Sequence, residues 1–504
     1  MFRKKNRLAA PTAEERQIIF FCVLSALAMT AAIARAVYTR GASIRESLFW
    51  NGVYSDHIMD FVNTLRDSRD FSWVWQRNVI YPPLSVLLMH FLSRLIPAPL
   101  INSRFVKRYL TQGSAALHTV YFAFAALCIL LLGWALEKYM REKKISPRRY
   151  AAIFFLIVNF PVIYCLERGN LSLLAMTLCC IFIFFRNSES AKVREISYLC
   201  LAAAAGLKLF PALFGILLLY DKKFKAAART VCYGIAAVLL PYLLMLLLTP
   251  SEGTIAQRMA QKLGAVMANG GLLSVFPRLT ASSEIDQNGT IFRFIQNLFR
   301  WNTGKRDFTF DSTSIMNVFY LLARAGVLPE KTAKLIGYIV FGVAEAGAAV
   351  MGYFSKREWQ RVFFVSYLML NIHAISMHYT LIYLIAPLAL FLALGERPER
   401  RKINYVYTVL FGLQFFLLPF YFSSILSTFS ALFNFILQIP KPESANKLIS
   451  FIAFQILFFV AAGDFLAGLG SAKREKKKLK KMILVRRANG APLPARTKIP
   501  QRSR

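Results

Sequence analysis

The sequence predicts an all-α protein that crosses a membrane many times, and three observations predict it. Of its 504 residues 56% are hydrophobic and only 17% charged, whereas a soluble domain of ordinary composition carries about a quarter charged residues. Apolar stretches long enough to cross a bilayer recur from Gln17 to Leu469. Lys and Arg, which give a net charge of +36, sit in short clusters between those stretches. Together these exclude a soluble enzyme, a disordered chain and a disulfide-framed secreted domain.

The elements follow in chain order. Residues 1–16 form a basic N-terminus, and the apolar run after it is too long for a signal peptide. The AIARA sequence ending at Ala36 is a weak cleavage site, so Gln17–Val37 reads as an uncleaved first span. A polar loop over 39–81 follows. Pro82–Ile96 is apolar but short for a span and reads as a re-entrant or extra helix. Gly113–Leu136, Ala151–Cys165, Leu171–Phe185, Ile196–Leu207, Leu209–Tyr220 and Thr230–Leu248 are the next candidate helices. A second long polar loop over 250–324 separates them from Ala333–Phe354, Val362–His378, Thr380–Leu394, Asn404–Phe422 and Leu448–Leu469. That makes about twelve transmembrane helices. The apolar body spans 17–470, and 471–504 is a tail with thirteen basic residues against the single acid Glu475.

The basic clusters set the orientation: Arg3–Arg7, Lys138–Arg149, Asp221–Arg229, Ser355–Arg361, Arg397–Lys402 and the tail. By the positive-inside rule both termini are cytoplasmic and both long loops extracytoplasmic. The tail is expected to bind anionic lipid, and the clustering argues against nucleic acid as a partner. The same orientation makes Ile196–Tyr220 a hairpin that enters and leaves on one side. The seven cysteines lie in apolar segments without CxxC spacing, so they read as buried small hydrophobes, with no disulfide framework or zinc site.

Four features carry chemistry. The first loop contains Asp56 and Asp60 within Tyr54–Asp60, then Phe71, Trp73, Trp75 and Tyr81-Pro82-Pro83. An amphipathic surface helix explains the aromatics, but carboxylates at i and i+4 repel unless a cation approaches. Such a pair suits a general base and a sugar ligand, and the spacing leaves open which carboxylate is the base. Glu167-Arg168-Gly169-Asn170 reads as a turn in which Arg168 can grip a phosphate and Asn170 a hydroxyl. Lys208 lies in an apolar stretch with Pro211 three residues on. A cation at that depth costs roughly 2.5–3.5 kcal/mol and asks for an anionic partner. Asn371, His373, Ser376, His378 and Tyr379 cluster at a helix junction and suit a lined pocket. There is no HExxH, Walker loop or dinucleotide fingerprint, so no metal site and no cofactor is expected.

The order SDHIMD, YPPLSVLL, ERGNLSLL, AAAGLKLFPALFGILLLYDKKFKAAAR and SMHYTLIYLIAPLAL, from Asp56 to Leu390, resembles glycosyltransferase family 87. That family includes polyprenyl-phosphate-mannose-dependent mannosyltransferases. The resemblance implies a GT-C-type glycosyltransferase fold and an inverting hexosyltransferase with a polyprenyl-phosphate sugar donor and a lipid-linked or glycan acceptor. It also implies that Asp56 is the catalytic base and that Arg168, Lys208 and His378 bind phosphate. Tyr81, Asn170 and Tyr379 would then line the sugar pocket, with Asp60 beside them. The family commonly has a Gly-Gln-x-Asn turn where this chain reads Glu167-Arg168-Gly169-Asn170, and often an aromatic where Met377 stands. The rival from another class is a transporter or flippase of lipid-linked or anionic substrates. It predicts internal repeats and short loops, neither of which the sequence has.

Overall fold

The computed structural model describes residues 13–42, 57–71, 74, 81–98, 100, 114–145, 147–248, 314–324, 326–372, 378–394, 401–416 and 450–470. Among them the chain is helical, with no strands. The N-terminal half runs α1 (Ala13–Tyr38), α2 (Met59–Ser68), α3 (Pro83–Arg94), α4 (Ala115–Glu142), α5 (Arg149–Ile157), α6 (Phe160–Arg168), α7 (Ser172–Phe185) and α8 (Ala191–Leu207). A 3₁₀ turn over Phe210–Gly215 leads into α9 (Ile216–Tyr220) and α10 (Phe224–Leu248). The C-terminal half runs α11 (Met316–Arg324), α12 (Glu330–Phe354) and α13 (Glu358–Ile372). A 3₁₀ segment over His378–Leu384 follows, then α14 (Ile385–Leu394), α15 (Arg401–Phe415) and α16 (Ser450–Gly470).

Among the described residues α1, α4, α10, α12 and α16 are long and apolar enough to cross a membrane, and α5 with α6 makes a sixth if the bent pair is one span. These fit a multi-pass membrane protein. Two of the expected helices depart from a single regular helix, each for a local reason. The expected single helix Ala151–Cys165 is bent by 41° between α5 and α6. Pro161 has no N–H to give the carbonyl of Ile157, and the Asn159 side chain starts a new helix by accepting from the Val162 amide at 3.1 Å. The expected helix Leu209–Tyr220 opens as a 3₁₀ turn carrying Pro211. At 14 residues α7 is about 21 Å long, short of a hydrocarbon core of about 30 Å.

The core forms around α7, which packs against α4, α8 and the 3₁₀ segment 378–384. Phe182, Phe185, Tyr198, Phe214, Phe363 and Tyr383 are among the side chains fully buried there. In the first loop α2 does not lie along a surface. It turns Phe61, Val62 and Leu65 into a second cluster with Met89 of α3 and Leu117 and Tyr121 of α4.

The segment 191–220 is a hairpin, as the charge pattern predicts. Asp221, just after α9, accepts from Arg186 Nε at 3.2 Å and from Asn187 at 3.3 Å, and both residues precede α8. Lys223 closes the same end by donating to Asn187 at 2.6 Å. Arg186, 1% exposed, also ion-pairs with Glu358 at the start of α13 and donates to the Ile183 carbonyl at 2.6 Å. Arg361 reaches Asp221 at 2.7 Å. The mouth of the hairpin is thus an ionic knot, and Lys208 stands at the tip, about 25 Å away along the 17 residues of α8.

Candidate active site

Four elements meet at the hairpin tip: α2, the start of α3, the α6–α7 turn and the 3₁₀ segment at His378. The α6–α7 turn is built by its sequence. Gly169 takes φ +64°, and the amides of Gly169 and Asn170 return to the carbonyls of Leu166 and Cys165 at 3.0 and 3.1 Å, closing α6. A side chain at 169 is excluded twice, by that left-handed backbone and by Phe61 Cβ 2.7 Å from where its Cβ would stand. This close approach docks α2 on the turn. Ile58 donates its amide to the Glu167 carbonyl at 2.7 Å and itself has φ +47°. A β-branched residue in that region carries strain of order 1–3 kcal/mol and is characteristic of a constrained functional site.

Docking α2 there brings Asp60 onto the turn. Its two carboxylate oxygens accept separately, Oδ1 from Arg168 Nη2 at 2.6 Å and Oδ2 from Asn170 Nδ2 at 2.7 Å. Asn170 is itself fixed, because its Oδ1 accepts from the amide and the hydroxyl of Ser172 at 2.9 and 2.7 Å. Thr64, one turn beyond Asp60, donates to the Asp60 carbonyl at 2.6 Å. The Asp60 and Arg168 side chains are 18% and 13% exposed, so the pair is only weakly screened by solvent.

The second cation comes from the hairpin. Lys208 Nζ lies 4.3 Å from the centroid of the Tyr81 ring, a cation–π contact, and within electrostatic reach of Asp60. Tyr379 lies in the field of Asp60 and Arg168, and its ring is 6.3 Å from that of Tyr164. His378 is buried one residue earlier, at the head of the segment that packs on α6. At the edge of the site His57 lies beside His118, ring centroids 6.2 Å apart. Burial first, and then the neighbouring His118, hold the His57 imidazole below its ordinary pKa.

Six residues singled out in the sequence therefore converge: Asp60, Tyr81, Arg168, Asn170, Lys208 and Tyr379, with His378 adjoining. Asp56, His373, Ser376 and Met377 lie outside the described residues, as do Trp73 and Trp75. Asn371 serves packing instead, accepting from the Ile315 amide and donating to the Tyr367 carbonyl, both at 2.9 Å. Sequence reasoning missed Thr64, Tyr164, Ser172 and Ser85. For the first two there was a signal, since each lies four residues from a charged site residue on the same helix face. Among the described residues no group of three or more His, Cys, Asp or Glu could hold a metal ion.

The arrangement sets one carboxylate against two cations beside three tyrosines, and so favours an anion next to a hydroxyl-rich group. The model of glycosyltransferase family 87 matches residues 79–274, a stretch that contains Tyr81, Arg168, Asn170 and Lys208. The family implies a membrane glycosyltransferase, with a sugar donor and an acceptor as substrates. Neither a curated protein nor a solved structure matches the chain.

Proposed function

We propose that this chain is an inverting hexosyltransferase of GT-C architecture, with mannose as the sugar. It takes the sugar from a polyprenyl-phosphate donor and passes it to a lipid-linked or glycan acceptor at the extracytoplasmic face. The observation that carries the reading is the meeting of Asp60, Arg168 and Asn170 with Lys208 and Tyr81 at one hairpin tip. Asp60 is already paired with Arg168, which leaves Lys208 as the cation nearest Tyr81 to meet a phosphate. A sugar phosphodiester, with its single negative charge, suits such a cation beside a tyrosine ring.

In this reaction the acceptor hydroxyl gives its proton to a carboxylate as its oxygen attacks the anomeric carbon from the face opposite the phosphate. The bond from the anomeric carbon to the phosphate oxygen breaks, and polyprenyl phosphate leaves with the electron pair. Lys208 and Arg168 stabilise the charge that develops on that oxygen. Asp60 already accepts from two donors and serves to aim Arg168 and Asn170. Asp56, four residues earlier in sequence, is the base.

The test is transfer of labelled sugar from a polyprenyl-phosphate hexose by the full chain in lipid vesicles. Asp56→Asn is expected to abolish transfer at normal expression. Lys208→Met is expected to raise the donor KM by about ten- to a hundredfold, the value of a hydrogen bond to a charged group. Near-normal turnover of Asp56→Asn would remove Asp56 as base, and an unchanged donor KM would remove Lys208 from phosphate binding.

A further inference from the structure

Lys208 follows the last residue of α8, where the helix ends abruptly. Its backbone is extended, with φ −145° and ψ 127°. In α-helical register the carbonyl of Leu207 would receive the amide of residue 211, but that residue is Pro211 and has no N–H. The missing donor comes from another element. Ser85, wholly buried in α3, donates its hydroxyl to the Leu207 carbonyl at 2.6 Å across 122 positions of sequence.

The residues that lead into α3 also receive the Lys208 side chain. Tyr81 precedes Ser85 by four residues, and its ring carries Nζ at 4.3 Å. Gly206 makes the approach possible: a Cβ there would stand 2.9 Å from Leu84 Cδ2 and 3.0 Å from the Ala237 carbonyl. The chain immediately before Lys208 and the end of its side chain are therefore both referenced to residues 81–85.

We propose that Ser85 is the positioning residue for Lys208: its hydroxyl stands in for the amide that Pro211 lacks and fixes the direction in which the ammonium group leaves the hairpin tip. The function assigned to Lys208 rests on the glycosyltransferase reading, but its position does not. Replacing Ser85 by Ala deletes the donor without changing size. The Leu207 carbonyl must then find another donor, and the tip moves with it.

The experiment reads Lys208 directly and independently of turnover. The full chain in detergent, where both ends of the hairpin meet the reagent, is treated with pyridoxal phosphate, an anionic aldehyde, and then borohydride, and labelling at Lys208 and Lys223 is measured on peptides by mass spectrometry. Ser85→Ala is expected to lower Lys208 labelling by about five- to tenfold, with Lys223 unchanged and Ser85→Thr restoring much of the loss. Pro211→Ala, which returns an amide able to compete for the same carbonyl, is expected to lower Lys208 labelling too and stands in if Ser85→Ala fails to fold. Wild-type labelling of Lys208 in folded Ser85→Ala, or in Pro211→Ala where that variant stands in, overturns the proposal. With a lipid-phosphate sugar as donor, Ser85→Ala raises the donor KM and leaves the acceptor KM alone. If Lys208→Met leaves donor KM unchanged while Ser85→Ala still shifts the labelling, the functional reading fails and the positioning role stands.

Discussion

Asp60→Asn changes one atom, and the geometry fixes its cost. The carboxylate meets two donors, Arg168 Nη2 on Oδ1 and Asn170 Nδ2 on Oδ2. An amide at position 60 has one acceptor and one donor, so if its oxygen serves Arg168 its NH₂ faces the NH₂ of Asn170. Asn170 cannot flip to relieve this, because its own oxygen holds the Ser172 amide and hydroxyl. One buried donor is left unsatisfied, which costs about 1–3 kcal/mol, and the charge-assisted bond to Arg168 is weakened. A thermal melt of the purified chain in detergent should therefore fall by about 1–3 °C. The compensating variant is Asp60→Asn with Asn170→Asp. The new carboxylate at 170 accepts from residue 60 and from Ser172, while the amide oxygen at 60 still accepts from Arg168, so every donor is satisfied and the net charge is restored. Most of the lost stability should return, a coupling that a double-mutant cycle reads directly. A single variant that melts like the native chain, or a double no better than the single, would refute this account of the site.

Two further outcomes follow from the ends of the bundle. Arg186→Met removes a buried guanidinium that serves Asp221, Glu358 and the Ile183 carbonyl, and should cost about 3–5 kcal/mol in the same melt. Arg186→Lys should recover little, since a single point charge cannot reach acceptors in three directions, and a Lys variant as stable as the native chain would refute the knot as described. His57 is held below its ordinary pKa, so its contribution to stability is complete above about pH 6.5 and is lost as pH falls toward the lowered folded value, where the unfolded chain takes up the proton first. Melting curves of the native chain and His57→Gln should run parallel above neutrality and converge in acid, and an unchanged gap at pH 5.5 would contradict the burial of a neutral ring.

The all-helical class and the hairpin were legible because hydropathy and basic clusters report on the membrane, which acts on long segments. Arg168, Asn170 and Lys208 were legible because charged and amide groups in apolar sequence are expensive and so conspicuous. Which carboxylate would be bound was not: Asp56 and Asp60 look alike in sequence, and only the docking of α2 on Gly169 gives Asp60 its two partners. The continuity of Ala151–Cys165 was over-read where Pro161 withdraws a single N–H, because hydropathy counts apolar residues and not hydrogen bonds. Ser85 had no signal at all. Its partner is a backbone carbonyl 122 residues away, and a serine in an apolar helix usually bonds within its own turn.

A lysine at the end of a helical strut is useful only if the strut cannot swing, and α8 is held at both ends by different chemistry. At the mouth of the hairpin the anchor is ionic: Arg186 and Arg361 share Asp221, and Glu358 ties both to α13. That network is itself largely buried, with Arg186 1%, Asp221 10% and Glu358 28% exposed. At the tip the anchor is instead one neutral hydroxyl on a carbonyl, together with a glycine that lets α3 come close. A neutral anchor adds no further charge beside Lys208, Arg168 and Asp60. Holding Lys208 by a hydroxyl therefore leaves the electrostatic character of the site unchanged, which is what separates a positioning residue such as Ser85 from one that meets the substrate.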